Sequence, residues 1–370
     1  MATELEAVPL LSKLKSPVIL ASLVLLALLV QIFLFSPISS PQVLQLPPLE
    51  IVSRPAYPWN NELQKVTKLG ERILTKPEDV VIDENGLLYT ATRDGWIKMM
   101  HKNGSWENWK YLATDSMLGI TTSSTPGYFI VCDASLGLLK VSKEETIVLA
   151  SEVDGKKIMF ADVAIEASDG SVYFSDPSTK FGFHDWFLDV LEARPRGRLL
   201  KYDPLTKKAV VLFDDLGFAN GVALSKDEDF LLVCESWKYR CLKYHLKGEN
   251  KGKLEVFIEN LPGAPDNIKL APDGTFWVGL IELRLWGIPF AYTSTVTKHF
   301  LAAFPKLVEL MQLIRKNAMV ANVGSDGKII KKFDDSNGKV TSFVTSVLEF
   351  EYHIYMGSLL NNFIGKLRLR

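Results

Sequence analysis

Two hydrophobic patterns divide this chain. Near the N-terminus, Val18 to Phe35 is a nearly unbroken apolar run, interrupted only by Ser22 and Gln31. Beyond residue 70 the apolar residues come in short runs instead. Each copy of the pattern has an apolar strand, an Asp-Gly-like turn, an aromatic-rich strand ending in small residues, and a third strand carrying Leu-Lys or its like. Copies start at Glu78, Leu118, Asp162, Asn220 and Asp266 and near Thr345. Short strands repeating about every 40–50 residues predict the blades of a propeller, because one twisted blade cannot bury both faces alone. The fold class expected is all-β: a six-bladed propeller over residues 62–370. Two spacings are longer than the rest. The insertions responsible, 181–197 and 284–317, both carry partly helical patterns. In the second, Phe300, Leu301, Phe304, Leu307, Val308, Leu310, Met311 and Ile314 recur at helical spacing. That face predicts a helix laid on the propeller, or a lid or membrane-contacting surface.

The apolar run would extend about 27 Å as a helix, enough for a bilayer's hydrocarbon core. Lys13 and Lys15 precede it, and the next basic residue is Arg54. The positive-inside rule then predicts a cytosolic tail at 1–16 and a transmembrane anchor at 17–36. The rest would face the endomembrane lumen (endoplasmic reticulum or vacuole) or the cell exterior. A long signal peptide is the competing reading, disfavoured because Pro41 spoils the small-residue cleavage site. Residues 37–61 hold Pro41, Pro47, Pro48, Pro55 and Pro58 and predict a stiff linker.

Composition narrows the classes further. Hydrophobic residues are 47% of the chain, ample for a core, and the net charge of −1 comes with no basic face, so nucleic acid is not expected as a partner. Of three cysteines, Cys234 and Cys241 fall in a strand–turn–strand pattern and can face each other across a hairpin, with or without a disulfide. Cys132 reads as a core thiol. Asn103-Gly104-Ser105 is the one glycosylation sequon.

In a propeller the innermost strand of each blade lines the central channel, so equivalent repeat positions form a ring at one mouth. Those positions are Glu78, Leu118, Asp162, Asn220, the Asp266–Asn267 pair and about Thr345. Four of the six blades thus present a carboxylate or amide oxygen. Such ligands suit a hard cation such as calcium, and the absence of His and Cys argues against zinc. Singly, each residue would read as an ordinary turn residue before a strand. His184 and Trp186, in the first insertion, are candidates for a lid above the ring. Ser135, Ser175 and Ser236 form no nucleophile elbow, so a serine triad is not supported.

Several stretches carry a family resemblance: KPEDV (76–80), TRDGWIK (92–98), CDASLGLLKV (132–141), FADVAIEASDGSVYFSDPSTKFG (160–182), GRLLKYDP (197–204), FANGVALSKDEDFLLVCES (218–236), PDNIKLAPDGTFWVG (265–279) and YMGSLLNNFIGKL (355–367). From about Glu62 to the C-terminus the chain resembles the strictosidine synthase-like family, which includes the animal adipocyte plasma membrane-associated proteins. It is similar, more widely, to the calcium-dependent propellers of the paraoxonase and gluconolactonase type. The resemblance implies Ca2+ held by Glu78, Asp162, Asn220 and Asp266, with Asn267 as a fifth ligand, and Asp266 as catalytic base or nucleophile. It implies hydrolysis of a small-molecule ester or lactone. The alternatives are a catalytically weak scaffold propeller with structural calcium, and amine–aldehyde condensation of the strictosidine synthase type. Asp162 departs from the Asn usual in the paraoxonase-type enzymes, and Leu118 replaces their His. Thr345, four residues before Glu349, aligns with the Glu that serves true strictosidine synthases as general base. Thr cannot act as a base at neutral pH, which disfavours condensation.

Overall fold

The computed structural model describes residues 17–47, 58–285, 288, 290–314 and 317–369. Six four-stranded antiparallel sheets are arranged in chain order, as the repeats predict. The inner strands of blades 1 to 6 are Val80–Ile82, Met117–Thr122, Ala164–Glu166, Ala219–Leu224, Ala264–Leu270 and Val344–Phe350. Blade 6 is completed by the N-terminal strand Thr67–Leu69, which pairs antiparallel with Ile364–Arg368. The two ends of the propeller therefore close the circle with ladder hydrogen bonds, leaving no open seam. Between blades the sheet faces interlock: Phe230, Phe257 and Phe276 meet between blades 4 and 5, and Tyr89, Trp109 and Phe129 between blades 1 and 2.

Cys234 and Cys241 are directly paired across the hairpin of blade 4 and are joined in a disulfide, while Cys132 is buried and free. Asn103 is exposed in a turn, its Oδ1 accepting from the Ser105 amide at 2.9 Å.

The apolar run forms helix α1, Pro17–Phe33, with no buried residue. It is shorter than the 17–36 span predicted. Leu34 is a turn residue, and Pro37 lies where a further helical turn would need an amide donor. Among the described residues, no helix is long and apolar enough to cross a membrane. The tail at 1–16 and residues 48–57 of the predicted linker, including Pro48 and Pro55, lie outside the described residues.

The earlier part of that linker is not a free spacer. Residues 38–47 form a strap docked across both insertions. The Gln42 amide donates to Glu192 O at 2.9 Å and the Leu44 amide to Tyr292 O at 2.9 Å. Ser39 caps the Glu192 carboxylate through its amide and hydroxyl, both at 3.0 Å. Ile38 is buried, and Leu44 and Leu46 join the same apolar cluster. An extended chain with open amides and alternating apolar side chains gains more by docking than by remaining solvated.

The first insertion forms helix α2, Trp186–Glu192, and the second forms α3, Thr295–Ala303, and α4, Pro305–Ile314. Ser294 caps α3, accepting from the Thr297 amide. Leu301, Ala302 and Val308 are buried beside α2, whereas Phe300, Phe304, Leu307 and Leu310 of the same apolar face remain exposed. The insertion thus packs on the propeller, and it also presents apolar surface outward.

Candidate functional site

The inner strands do not enter the channel mouth as regular strands. Register shifts interrupt the first two strands of blade 2 between Met117 and Ile120, of blade 4 between Ala219 and Val222, of blade 5 between Pro265 and Ile268, and of blade 6 between Val344 and Ser346. The predicted ring positions 118, 220, 266, 267 and 345 all fall within these bulges. Glu78 and Asp162 lie just before their strands begin. A bulge frees one residue from the ladder and re-aims it, here toward the channel at Leu118, Asn220 and Asp266. Glycines allow the backbones to close up behind. A Cβ on Gly357 would stand 2.1 Å from Glu78 O, and one on Gly221 2.4 Å from Asp266 O. Neither position has room for a side chain.

Glu78, Asp162, Asn220 and Asp266 together line the floor of one cavity. All four are at least 94% buried, as is Asn267. Asn267 is not exposed to the cavity; its amide donates to Glu78 Oε1 at 3.0 Å. Asn220 donates to Asp266. The carboxylates come from blades 1, 3 and 5, alternating with other residue types. Among the described residues, no three His, Cys, Asp or Glu side chains form a metal-binding cluster on their own.

The electrostatics are those of a site built for a positive charge. Burial, and then the neighbouring Asp79, Asp266 and Asp162, push the Glu78 carboxyl well above the usual carboxylate range. Burial followed by Asp266 does the same to Asp162. Asp266 is pushed up to about 8, chiefly by burial and against the opposing hydrogen bond from Asn220. Three buried oxygens, Glu78 Oε2, Asn220 Oδ1 and Asn267 Oδ1, have no hydrogen-bond partner. Buried acceptors are ordinarily paired, and a hard cation accepts oxygens of this kind from carboxylates and amides. The residues present therefore fit calcium, and Glu78, Asp162, Asn220, Asp266 and Asn267 would hold it.

Thr345 and His184 stand elsewhere than expected. Thr345 is fully buried, and its hydroxyl donates to the Glu78 carbonyl at 2.7 Å, with Ser346 donating to the same atom at 3.0 Å. It orients the Glu78 backbone and does not line the cavity, which blade 6 reaches with Phe343 and Leu359 instead. The cause is the bulge, which turns the Thr345 side chain into the seam with blade 1. His184 lies on the outer side of the first insertion, more than half exposed and 3.4 Å from Asp115 Oδ1. A hydrated imidazole–carboxylate pair there costs less than burying a polar ring among aromatics. Trp186 does line the cavity, with Phe183 and Val190 from the same insertion.

The apolar walls were not anticipated. Phe160, Phe218 and Trp237 stand above the ring, with Ser236 alongside, whose hydroxyl donates to Pro265 O at 2.7 Å. A signal was present in the sequence: Phe160-Ala-Asp162 and Phe218-Ala-Asn220 repeat an aromatic two residues before a ring residue. The two phenyl rings meet edge-on, 5.6 Å apart.

Comparison with known proteins bears on this arrangement. A family description reading "Strictosidine synthase" matches residues 161–249, and one reading "Strictosidine synthase-like, N-terminal" matches residues 55–100. Strictosidine synthase-like 4 of Arabidopsis thaliana is 35% identical over 316 residues, covering 81% of this chain and 81% of that protein. The chain belongs to the strictosidine synthase-like family. The adipocyte plasma membrane-associated protein of Mus musculus, 31% identical over 84% of this chain and 80% of its own, is a further relative of this strictosidine synthase-like protein. Among solved structures, a gluconolactonase from Xanthomonas campestris superposes with a TM-score of 0.59 at 14% identity, covering 90% of this chain and 96% of its own. At that identity the likeness establishes the propeller fold that the strictosidine synthase-like chain shares with it.

Proposed function

We propose that this protein is a calcium-dependent hydrolase of small apolar esters or lactones, of the arylesterase or lactonase type. One observation carries the reading: unpartnered oxygens and three buried carboxylates form the floor of an otherwise aromatic cavity. Calcium bound there would polarise a substrate carbonyl and stabilise the negative charge that develops on its oxygen. The chain's own residues supply the rest. Phe160, Phe218, Trp186 and Trp237 hold an apolar acyl or aryl group and exclude water. Asn220 orients the Asp266 carboxylate through its amide. Asp266 then serves as base toward an attacking water, or as nucleophile toward the carbonyl carbon. The names of structural neighbours, gluconolactonases and a calcium-binding regucalcin, support the same direction.

Condensation of an amine with an aldehyde is disfavoured because position 345, where a general base is needed, holds a hydroxyl already engaged with Glu78 O. The decisive experiment is turnover of a panel of aryl esters and lactones by the protein, with and without chelator. Asp266→Asn is expected to remain folded and keep calcium while losing at least a hundredfold in kcat. Full turnover by that variant would reduce Asp266 to a ligand. Turnover by none of the panel would favour the scaffold reading, with calcium purely structural.

We also propose that the protein sits at a membrane, with residues 17–36 as anchor and the propeller in an oxidising lumen or outside the cell. The exposed apolar α1, the Cys234–Cys241 disulfide and the relative named for membrane association support this. Carbonate-resistant sedimentation and a glycan on Asn103 are the expected results. A soluble, unglycosylated cytosolic protein would end this placement.

A further inference from the structure

Blade 2 is the sector of the ring between Glu78 and Asp162, and it contributes Leu118, whose side chain has no polar atom. Behind that sector stands Arg93, reaching across from blade 1. Its Nη1 donates to Met117 O at 2.9 Å and to Asp115 O at 3.0 Å, which fixes the guanidinium beside Leu118. The group lies 4.0 Å from the centre of the Phe183 ring, the same ring that lines the cavity. Its Nη2 is buried with no hydrogen-bond partner. No carboxylate lies within ion-pair distance of it among the described residues, so the usual reason for burying a guanidinium nitrogen is missing. Burial disfavours its charge, and the charges that most offset this are Glu78 and Asp162, ahead of Asp115 and Asp133.

We propose that Arg93 is a built-in counter-charge of the ring, a positioning residue that allows Asp162 to be a carboxylate where an amide would otherwise suffice. Glu78, Asp162 and Asp266 ionised carry three negative charges, and a dication leaves one of them uncompensated. Arg93 supplies the missing positive charge from a sector that offers the ring no side-chain oxygen, held back from direct contact with the carboxylates by its bonds to the Met117 and Asp115 carbonyls. The inference rests on the calcium ring of the proposed function and not on the hydrolytic chemistry. It makes a specific demand: a residue that only props up the lid would stabilise fold and metal site together. A counter-charge must act on them in opposite directions, because it attracts the carboxylates and repels the cation.

The test is a set of variants, Arg93→Met, Asp162→Asn, both together, and Arg93→Lys, each measured by melting in chelator and by calorimetric calcium titration. Arg93→Met keeps the length and the contact with Phe183. It is expected to lower the metal-free Tm by several degrees while tightening calcium binding about tenfold or more. Asp162→Asn should weaken calcium binding and recover most of the metal-free Tm lost by Arg93→Met, and Arg93→Lys should behave nearly as wild type. The proposal is overturned if Arg93→Met weakens or leaves unchanged the calcium affinity, or if it lowers Tm equally whether or not Asp162→Asn is also present. Should Arg93→Met not fold, folding of the double variant supports the proposal, and failure of both overturns it. Calcium binding with these opposed shifts but no ester turnover ends the hydrolase reading alone. No calcium binding by any variant ends the ring and this inference with it.

Discussion

Glu78 and Asp79 are consecutive carboxylates, both buried, and they belong to different worlds. Asp79 lies on the channel side below the ring, where Oδ1 accepts from Lys269 Nζ at 2.7 Å and from the Val80 amide at 2.8 Å, and Oδ2 from the Ile120 amide at 3.0 Å. Lys269 also donates to Val80 O at 2.8 Å. Three blades, 1, 2 and 5, are pinned by this one side chain, and the far mouth beyond it mixes apolar residues such as Ile82, Ile165 and Leu270 with Glu166, Lys226 and Glu228. Glu78, one residue earlier, receives a single amide donor and leaves Oε2 with nothing. The lesson is that burial alone does not mark a functional carboxylate. A satisfied one is structural, and one left short of donors in a cavity is held for something else.

That contrast can be broken experimentally, and the largest effect is expected at Asp79. Asp79→Ala leaves Lys269 as an uncompensated, mostly buried cation and should cost about 3–5 kcal/mol in urea unfolding, equally with calcium and with chelator. Glu78→Gln should do the reverse: metal-free stability unchanged or higher, and loss of the stabilisation of about 2.7 kcal/mol that calcium gives at a hundredfold excess over Kd. If the two variants respond alike to chelator, the division between the two layers is wrong.

A smaller effect sharpens the upper half of the comparison, in the first insertion. Asp189, on α2, is buried, accepts from the Ser178 hydroxyl, and has its other oxygen unpartnered. Burial pushes its carboxyl up to about 8. Its folded pKa is thus raised above the unfolded value, so its contribution is fully present at low pH and is lost as pH rises toward 8. Asp189→Asn should leave stability near wild type at pH 4 and exceed it by roughly 1–3 kcal/mol at pH 8. Melting curves across that range would decide the matter, and a difference independent of pH would show that Asp189 is paired in a way that keeps it ionised.

Much of this architecture was legible one residue at a time. The six blades could be read because Asp-Gly-like turns recur between apolar runs, and a turn of that kind needs only its own few residues to form. The ring could be read because Glu78, Asp162, Asn220 and Asp266 hold one offset within each repeat, and a closed circle brings equal offsets to one mouth. The Cys234–Cys241 pairing was within reach for the same reason, since they lie seven positions apart across one turn. Thr345 sits at the correct offset too, yet a bulge sends its hydroxyl to the Glu78 carbonyl, and bulges are set by neighbouring blades rather than by the strand that carries them.

What only the tertiary structure decided concerns groups distant in the chain. Nothing local to Asp79 announces Lys269, and nothing local to Glu78 announces the Asn267 amide, because blade 5 meets blade 1 only across the closed channel. Nothing in the proline-rich stretch after α1 foretells that Gln42 and Leu44 will donate to Glu192 and Tyr292 across two insertions. Nor does TRDGWIK show that Arg93 will stand behind Leu118. Repetition and turn chemistry act over a few residues, so the sequence alone determined the blades and which positions face the axis. Partner choice among buried charges acts through space, where desolvation makes each missing partner costly, so only the assembled circle decided which carboxylates are satisfied and which are left open.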